Sequence, residues 1–381
     1  MQKVIVFGNK HIFSTEGGIE VVVSELYPRL SKDLRIVVLD RKDNDTKYPY
    51  DSGNIHVIGI PTVKNKKLNA VIYSFLATLY CIIHKADIVH IHAEGQCGFL
   101  PLLRLFRPHT PVIVTIHGLD WQRAKWGGFA TKYLKFSERM AVKYADEITV
   151  LSNHDADYFT QTYGAKNIRI IPNGASKPVF ASPRALYNHS IEPAKYILYI
   201  GRFAPEKRVD LLLHAYAASK AKTKHNLVLA GPVAETPQIR EVAEKIPGVI
   251  LINNATGELK KALLTWAKLY VLPSDLEGLS MSLLESLTYG DLTLCSDIPE
   301  NIEVYRNSST FLHTFSHGDI VDLTAKIDTL LSKNRAVPGM AKDGDDAMLQ
   351  SNLFRSLYDW DEVTKQYKDL FKEVIINAGQ A

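Results

Sequence analysis

The sequence predicts an α/β protein made of two doubly wound, Rossmann-like domains. Short apolar runs rich in β-branched residues alternate with amphipathic stretches along almost the whole chain, a pattern typical of parallel strands joined by helices. The chain has 381 residues, which is more than one hydrophobic core usually holds. A segment rich in Pro, Gly, Asn and Ser interrupts the alternation near the middle and divides it into two series.

The first series predicts an N-terminal domain over residues 1–178. The helical stretch GGIEVVVSELYPRL follows the first apolar run, and further helical stretches separate the others. The apolar runs are VIVFG (4–8), RIVVLD (35–40), DIVHIHA (87–93), PVIVTIHG (111–118) and EITVLS (147–152). Runs that are apolar on both faces suit parallel strands covered by helices on each side of a sheet.

The second series predicts a C-terminal domain over residues 190–355, after the linker IPNGASKPVFASPRALYNHSIEPAK. Its apolar runs are YILYIGR (196–202), NLVLAGP (226–232), GVILIN (248–253), LYVLPS (269–274) and LTLCSD (292–297). The last segment, DWDEVTKQYKDLFKEVI, has one apolar stripe, and we expect the helix at 356–381 to pack back on the N-terminal domain. Ligands of such sheets bind beyond the carboxyl ends of the strands, so we expect functional residues in those loops.

Composition and motifs argue against several classes of protein. The opening residues MQKVIVFGNK hold a strand-length apolar run, so we expect no secretory signal. The most apolar stretch, LNAVIYSFLATLYCIIH, has the length of a core or interfacial helix. The three cysteines lack metal-ligand spacing and are expected to be free thiols in a reducing cytoplasm. No zinc-finger or aromatic–basic motif points to nucleic acid.

The formal net charge of +4 is unevenly distributed. Residues 1–178 hold 23 Lys and Arg against 16 Asp and Glu, a charge of +7, whereas the remainder holds 22 against 25. A basic first domain suits an anionic membrane surface or a phosphate-bearing ligand. A solvated surface without special function explains the same charge equally well.

Two loops at strand ends carry residues suited to binding phosphate. Gly17 and Gly18 lie where the first loop meets its helix, so their backbone amides could approach an anion closely. Their spacing is not that of a nicotinamide site, and a tight turn explains the pair as well. Arg202 and Lys207 flank the beginning of a helix in GRFAPEKRVDLLLHA, where two cations could clamp a pyrophosphate. The alternative is a solvated helix start that is basic.

The segment LPSDLEGLSMSLLESLTYGD places Glu277 before a glycine and Glu285 inside an apolar helix. A glutamate among leucines needs a partner, and the vicinal hydroxyls of a ribose could give the Glu285 carboxylate two hydrogen bonds. We expect Glu277 at the edge of the binding site. The amides of Leu279, Ser280 and Met281 lie at the predicted start of the helix, where they could receive phosphate or sugar oxygens.

These motifs resemble a known family. EGLSMSLLE resembles the E-x7-E motif of retaining glycosyltransferases of the GT-B fold, especially the large bacterial family 4, which includes polysaccharide and lipid-linked sugar transferases. GRFAPEK resembles the G-R-x4-K segment of that family, EGGIEVVV its glycine loop and IPNG its hinge. The resemblance runs from residue 3 to about residue 374. It implies two Rossmann-like domains that face each other across a cleft.

The resemblance also implies a role for each matching residue. Glu285 would bind the ribose hydroxyls of the nucleotide, and Glu277 would bind the hydroxyls of the donor sugar. Arg202 and Lys207 would hold the diphosphate and offset the charge of the leaving group without a metal. His117, in TIHGLD at a strand end, matches the active-site histidine that faces the donor sugar.

The resemblance further implies a phosphate cradle formed by the amides of Gly18, Leu279, Ser280 and Met281. After its Glu-Gly pair the family often has Phe-Gly or a proline, whereas this chain has Leu279 and Ser280, so the motif does not specify the donor sugar.

The loop HGLDWQRAKWGG is a candidate acceptor site. Asp120, Trp121, Arg123, Lys125 and Trp126 provide two indole rings and several charges, which suit stacking on a sugar and pairing with an acceptor phosphate. Packing of the tryptophans in the core is the alternative.

Two further patterns have simpler explanations. The D-x-D spacing of Asp43 and Asp45 is used by metal-dependent transferases, but here it lies in a polar loop and favours a turn. His90 and His92 share one strand face without a third ligand nearby, so we interpret them as strand-end residues that line or underlie the site.

We therefore expect a metal-independent, retaining glycosyltransferase that uses a nucleotide-diphosphate sugar, with a UDP-sugar favoured. The expected acceptor is a hydroxyl of a glycan or lipid-linked sugar in bacterial surface polysaccharide biosynthesis. The resemblance implies front-face attack by that hydroxyl as the diphosphate leaves. The expected location is the cytoplasm, peripheral to the inner face of the cell membrane. The alternatives are a GT-B nucleotide-sugar 2-epimerase and a non-catalytic nucleotide-sugar-binding subunit, neither of which is expected to keep all four residues of the two motifs.

Overall fold

The computed structural model describes residues 1–14, 17–42, 46–63, 65–123, 127–306, 311–333, 336–341 and 345–380. The chain forms two units. Unit 1 comprises Met1–Gly174 and Trp360–Ala381, and unit 2 comprises Ala175–Asp359. Each unit is an α/β structure with its own sheet.

The described part of unit 1 contains one sheet of eight strands. They are β1 (Lys3–Phe7), β2 (Arg35–Arg41), β3 (Tyr50–Ser52), β4 (Ile55–Ile60), β5 (Ile88–His92), β6 (Val112–Thr115), β7 (Glu147–Val150) and β8 (Ile168–Ile170). The order is β3-β4-β2-β1-β5-β6-β7-β8, and all neighbours are parallel except β3 and β4. The five predicted strands are β1, β2, β5, β6 and β7. The sequence missed β3 and β8, which have only 3 residues each, and β4, whose apolar run is broken by His56 and Gly59.

Helices cover this sheet and bury its central strands. They are α1 (Gly18–Leu30), α2 (Lys66–Ile83), α3 (Leu100–Phe106), α4 (Phe129–Tyr144) and α5 (Asn153–Tyr163). All five residues of β5 are buried, as expected of a parallel strand with helices on both faces. Gly8 follows β1 with a φ of 121°, and a Cβ there would lie 2.0 Å from the carbonyl oxygen of His92. Glycine is therefore required where the loop after β1 passes the end of β5.

The described part of unit 2 contains one parallel sheet of six strands. They are β9 (Tyr196–Ile200), β10 (Asn226–Gly231), β11 (Val249–Asn253), β12 (Leu269–Leu272), β13 (Thr293–Ser296) and β14 (Leu312–Phe315). Their order is β11-β10-β9-β12-β13-β14. The first five were predicted, and the sequence missed β14, whose middle residues are His313 and Thr314.

The described part of unit 2 contains eight α-helices, and one more completes unit 1. Those of unit 2 are α6 (Arg184–Tyr187), α7 (Val209–Ala218), α8 (Pro237–Glu244), α9 (Gly257–Thr265), α10 (Met281–Tyr289), α11 (Pro299–Arg306), α12 (Ile320–Ser332) and α13 (Asp346–Tyr358). The last helix, α14 (Trp360–Gln380), returns to unit 1 and packs against α1. Its stripe is buried; the members are Trp360, Val363, Tyr367, Leu370 and Val374. No described helix is both long enough and apolar enough to cross a bilayer.

The strand orders determine where each unit can hold a ligand. In unit 2 the chain builds outward from β9 in one direction through β10 and β11, then resumes on the other side of β9 with β12. In unit 1 the same reversal occurs between β1 and β5. Loops that follow the two strands at such a switch point diverge and leave a crevice at the carboxyl edge of the sheet. Arg202, Lys207 and Glu277 lie in these loops of unit 2, and Gly17 and Gly18 follow β1 in unit 1. His117 and the candidate acceptor loop follow β6, the neighbour of β5.

Candidate active site

Unit 2 brings Lys207 and Glu277 together at its switch point. Lys207 ends a 3-10 turn in the loop after β9, and Glu277 lies in the loop after β12. The Lys207 Nζ lies 2.6 Å from Glu277 Oε1 and 2.6 Å from Oε2. The lysine side chain is 15% exposed and the glutamate side chain 6%. A carboxylate that is almost buried and held on both oxygens by one ammonium has a fixed orientation.

Neighbouring contacts hold the two loops against each other. Ser274, which is buried, donates its hydroxyl to Glu277 Oε1 at 2.7 Å. The amide of Asp275 donates to the carbonyl oxygen of Glu206 at 2.9 Å. The Arg208 guanidinium donates to the Asp275 carboxylate at 2.8 Å. The orientation of Glu277 is thus supported by side chains and backbone of both loops.

Arg202, the second predicted cation, is exposed in the segment after β9 that also carries Lys207. Its carbonyl oxygen accepts a hydrogen bond from the Tyr199 hydroxyl at 2.7 Å, which fixes its backbone. Among the described residues its guanidinium has no ion-pair partner, so its charge is available to an anion. Sequence reasoning missed Arg208, which serves the loop rather than the open edge because it pairs with Asp275 and Asp210.

The helix α10 begins where the sequence predicts. Ser280 is its N-cap, and the Ser280 hydroxyl accepts from the amide of Leu283 at 3.4 Å. Leu279 and Met281 flank that cap, so the three predicted residues lie in the first turn or directly before it. The helix ends at Gly290, whose φ of 83° is the left-handed conformation that glycine adopts at helix ends.

Glu285 has a partner that the sequence did not reveal. Its Oε2 lies 2.7 Å from the Nζ of Lys260 on α9. The side chains are 30% and 35% exposed, respectively, so Glu285 is not enclosed by the leucines of α10. Leu283, Leu284 and Leu287 face the core, whereas Glu285 lies on the more open side of the same helix.

In unit 1, His117 follows β6 at the carboxyl edge of the sheet, and its Nε2 lies 2.9 Å from Nδ1 of His92. His92 and His90 on β5 are fully buried, so they underlie this edge rather than line it. Burial lowers the pKa of all three imidazoles, because desolvation disfavours the charged ring. The Arg123 guanidinium lowers the pKa of His117 further. His117 is therefore a neutral imidazole at pH 7.

The candidate acceptor loop is anchored by one buried acid, Glu94, and by an ion pair within the loop. The Asp120 amide donates to Glu94 Oε1 at 2.8 Å, and the Asp120 carboxylate accepts from Arg123 at 2.7 Å. Glu94 is fully buried, and burial followed by the charge of Asp120 raises its pKa well above the usual range. Trp121 packs against the core, with the Lys135 ammonium 4.0 Å from the centre of its ring. The Trp121 ring thus packs mainly against the core, which was the alternative explanation for this tryptophan.

The glycine pair lies beside a carboxylate. Gly17 caps α1 and Gly18 is its first residue. Glu20, in the first turn, accepts from the Lys10 amide at 3.1 Å, and a Cβ on Gly17 would lie 2.2 Å from Glu20 Oε2. The missing Cβ of Gly17 thus makes room for Glu20, a role that the sequence did not suggest.

Some predicted features lie outside the described residues. They are Lys125 and Trp126 of the acceptor loop and the D-x-D motif at 43–45. Within the described residues, no group of three or more His, Cys, Asp or Glu side chains is arranged to hold a metal ion.

Comparison with known proteins identifies the family. The sequence model of Glycosyltransferase Family 4 matches residues 16–176, and that of Glycosyl transferases group 1 matches residues 188–344. The chain belongs to glycosyltransferase family 4. This glycosyltransferase therefore takes its sugar from a nucleotide sugar, which favours transfer over the two alternative functions.

Two relatives resemble the glycosyltransferase over almost their whole length. It is 26% identical over 372 residues to the GDP-mannose:cellobiosyl-diphosphopolyprenol alpha-mannosyltransferase of Xanthomonas oryzae pv. oryzae, covering 94% of each chain. It is 25% identical to the protein of the same name from Xanthomonas campestris, covering 93% of this chain and 92% of that one. Sucrose-phosphate synthase from Thermosynechococcus elongatus matches in structure with a TM-score of 0.80 at 18% identity, covering 99% and 100% of the two chains. The predicted GT-B fold, family and enzyme class are confirmed.

Proposed function

We propose that this glycosyltransferase transfers a sugar, with retention of anomeric configuration and without a metal, to a hydroxyl of a polyprenol-linked glycan at a membrane surface. The observation that carries the proposal is the Lys207–Glu277 pair at the switch point of unit 2, the place where doubly wound sheets bind ligands. The names of the two Xanthomonas relatives support a polyprenol-linked acceptor and make GDP-mannose the first donor to test.

In this proposal the residues of unit 2 bind the donor. Glu277, held by Lys207 and Ser274, accepts hydrogen bonds from hydroxyls of the sugar. Lys207 and the exposed Arg202 place positive charge beside the diphosphate, where negative charge grows as the bond to the sugar breaks. Glu285 binds the ribose in exchange for its contact with Lys260.

The reaction balances without a further reactant. The bond between the anomeric carbon and the diphosphate oxygen breaks, and the acceptor oxygen bonds to that carbon on the same face. The acceptor proton passes to the leaving phosphate oxygen. The protein contributes position and electrostatic stabilisation, and His117 contributes a neutral hydrogen-bonding group toward the sugar.

One face of α2 supports the proposed binding to a membrane surface. Leu68, Phe75 and Ile83 are exposed apolar residues whose spacing places them on the same side of that helix. They belong to the part of the chain that carries the charge of +7. Exposed apolar side chains combined with net positive charge suit the interface of an anionic bilayer.

The test is a donor and acceptor panel. The purified full chain is incubated with GDP-mannose or UDP-glucose and a polyprenyl-diphosphate disaccharide in vesicles, and released nucleoside diphosphate and product are measured. We expect release that depends on the acceptor, a product that keeps the α configuration, and full activity in EDTA. An inverted product contradicts retention, and loss in EDTA that Mg²⁺ or Mn²⁺ restores contradicts the metal-free mechanism. Transfer with GDP-mannose but not UDP-glucose would overturn the expected preference for a UDP-sugar.

A further inference from the structure

A continuous chain of side-chain hydrogen bonds runs from His117 into the interior of unit 1. Nε2 of His117 lies 2.9 Å from Nδ1 of His92, and Nε2 of His92 lies 2.7 Å from the Tyr27 hydroxyl. That hydroxyl lies 2.8 Å from Nδ1 of His90, whose Nε2 lies 2.7 Å from Oγ1 of Thr115. Three elements far apart in sequence, α1, β5 and β6, contribute to this chain.

The interior members of this hydrogen-bond chain are buried and uncharged. Tyr27, His90, His92 and Thr115 are fully buried. Burial lowers the pKa of both buried imidazoles and raises the pKa of the Tyr27 phenol well above its usual range. At neutral pH each imidazole therefore carries one N–H, and Tyr27 carries its proton.

Proton counting leaves two arrangements of the whole chain. Tyr27 has one hydroxyl proton, so it donates to one histidine and accepts from the other. If it donates to His90, then His92 donates from Nε2, and His117 donates from its own Nε2 to His92 Nδ1. If Tyr27 donates to His92, every ring is reversed. The protonated nitrogen of His117 is therefore coupled to the Tyr27 hydroxyl through His92.

The far end of the chain accommodates both arrangements, since the Thr115 hydroxyl can accept from His90 or donate to it. In the first arrangement His90 donates from Nε2 to Thr115, whose own proton then needs an acceptor. The Thr149 hydroxyl lies 2.6 Å and the Tyr367 hydroxyl 3.2 Å from Thr115 Oγ1. This arrangement also gives all three rings the Nε2–H form, which neutral imidazoles prefer in water.

We propose that Tyr27 and His92 are positioning residues that hold His117 as its Nε2–H tautomer, so that Nδ1 presents an unprotonated acceptor to a substrate hydroxyl. The proposal rests on the proposed function for the part that His117 plays in transfer. It rests on geometry alone for the coupling between the three residues. A hydrogen-bond chain that merely satisfies buried polar groups would not require a particular tautomer at its half-buried end, His117.

The experiment reads the tautomer directly. The full-length protein is labelled with ¹⁵N-histidine, and ring ¹⁵N–¹H correlation spectra at pH 7.5 distinguish protonated from unprotonated ring nitrogens. The signals of His117 are assigned by their absence from the spectrum of His117→Gln. We expect His117 to show a protonated Nε2 and an unprotonated Nδ1. In Tyr27→Phe the two nitrogens should move toward averaged shifts, because His92 has lost the group that fixes its proton.

Tyr73→Phe is the matched control. Tyr73 is also a fully buried tyrosine of unit 1 whose hydroxyl makes two hydrogen bonds, with the Gly8 amide and the Leu39 carbonyl. It does not belong to the hydrogen-bond chain that ends at His117. Its His117 spectrum should match that of the unsubstituted protein. Thr115→Val provides a second test if Tyr27→Phe does not fold. It removes the hydroxyl that bonds to His90, and Thr115 itself makes no hydrogen bond with His117 among the described contacts. It should also shift the His117 nitrogens.

Kinetics give an independent readout. The loss of one neutral hydrogen bond, about 0.5–1.5 kcal/mol, predicts that Tyr27→Phe lowers kcat by about 2- to 12-fold with the donor KM little changed. A protonated Nδ1 in the unsubstituted protein, or a His117 spectrum indifferent to both Tyr27→Phe and Thr115→Val, would overturn the proposal. Full activity of His117→Ala would instead contradict the proposed function of His117, because the spectra test the coupling whether or not the enzyme turns over.

Discussion

The two glutamates of the E-x7-E motif have different surroundings, and Glu285 gives the sharper prediction. Its contact with Lys260 joins two side chains that are 30% and 35% exposed. Ion pairs of this exposure contribute about 0.2–1 kcal/mol, so the pair is weak enough for a ligand to displace. Glu285→Ala should therefore leave the free energy of unfolding within about 1 kcal/mol of the original value.

Nucleotide affinity should change more than stability. Hydrogen bonds to a charged group contribute about 1.5–3 kcal/mol, and the ligand must first break a pair worth up to about 1 kcal/mol. We expect Glu285→Ala to weaken binding of the free nucleoside diphosphate by about 0.5–3 kcal/mol, or roughly 2- to 150-fold. Isothermal titration calorimetry with the diphosphate released in the donor panel measures this directly.

Lys260→Ala is the matched control, because it removes the other half of the same pair. If Lys260 only competes with the ribose for the carboxylate, its removal should leave nucleotide affinity unchanged or raise it by at most about fivefold. Two results would refute the reasoning. One is an affinity of Glu285→Ala within twofold of the unsubstituted enzyme, and the other is an equal loss in Lys260→Ala, which would make the lysine itself a nucleotide ligand.

Three further predictions test other parts of the site. Lys207→Ala should weaken nucleoside diphosphate binding in calorimetry. Glu277→Ala should leave that affinity near its original value and lower kcat with the full donor. Equal losses of affinity in the two variants would contradict this division of roles. In flotation assays the enzyme should bind anionic vesicles less at high salt, and Ile83→Ser, at a side chain that is 70% exposed, should weaken binding; equal flotation with neutral vesicles would exclude the electrostatic contribution. Glu94→Gln should raise the urea midpoint of unfolding more at pH 8 than at pH 5. Because folding raises the pKa of the Glu94 carboxyl, this group contributes stability below the pKa of the unfolded state, and the contribution is lost as pH rises. An equal change at both pH values would show that Glu94 is ionised in the folded protein at both.

The alternation of strands and helices could be predicted because its signals are local. β1, β9 and β12 are apolar on both faces, and α10 has its cap and its terminal glycine within a few residues of its apolar stripe. The loops that carry the candidate site follow from strand order, since carboxyl ends of parallel strands share one edge. Short strands such as β8 offer too few residues for a pattern to register.

Side-chain partners could not be predicted in the same way. Tyr27 and His92 are 65 residues apart, and their contact depends on how α1 packs over β5. Lys260 reaches Glu285 from another helix, and nothing in its own segment distinguishes it from the neighbouring Lys261. Such contacts depend on helix rotation and rotamers, which amphipathic periodicity defines only to within a face.

The contrast between the two lysine–glutamate pairs fits the two different roles proposed for the glutamates of this motif. The side chains of Glu277 and Lys207 are mostly buried, so removing either one leaves the other charge buried without its partner. The protein therefore keeps both in a fixed geometry. Glu285 and Lys260 keep about a third of their exposure, so water compensates for a broken pair. A rigid carboxylate suits the sugar whose bond must be placed for reaction, because misplacement costs rate. An exchangeable carboxylate suits the nucleotide, which must bind before transfer and leave after it.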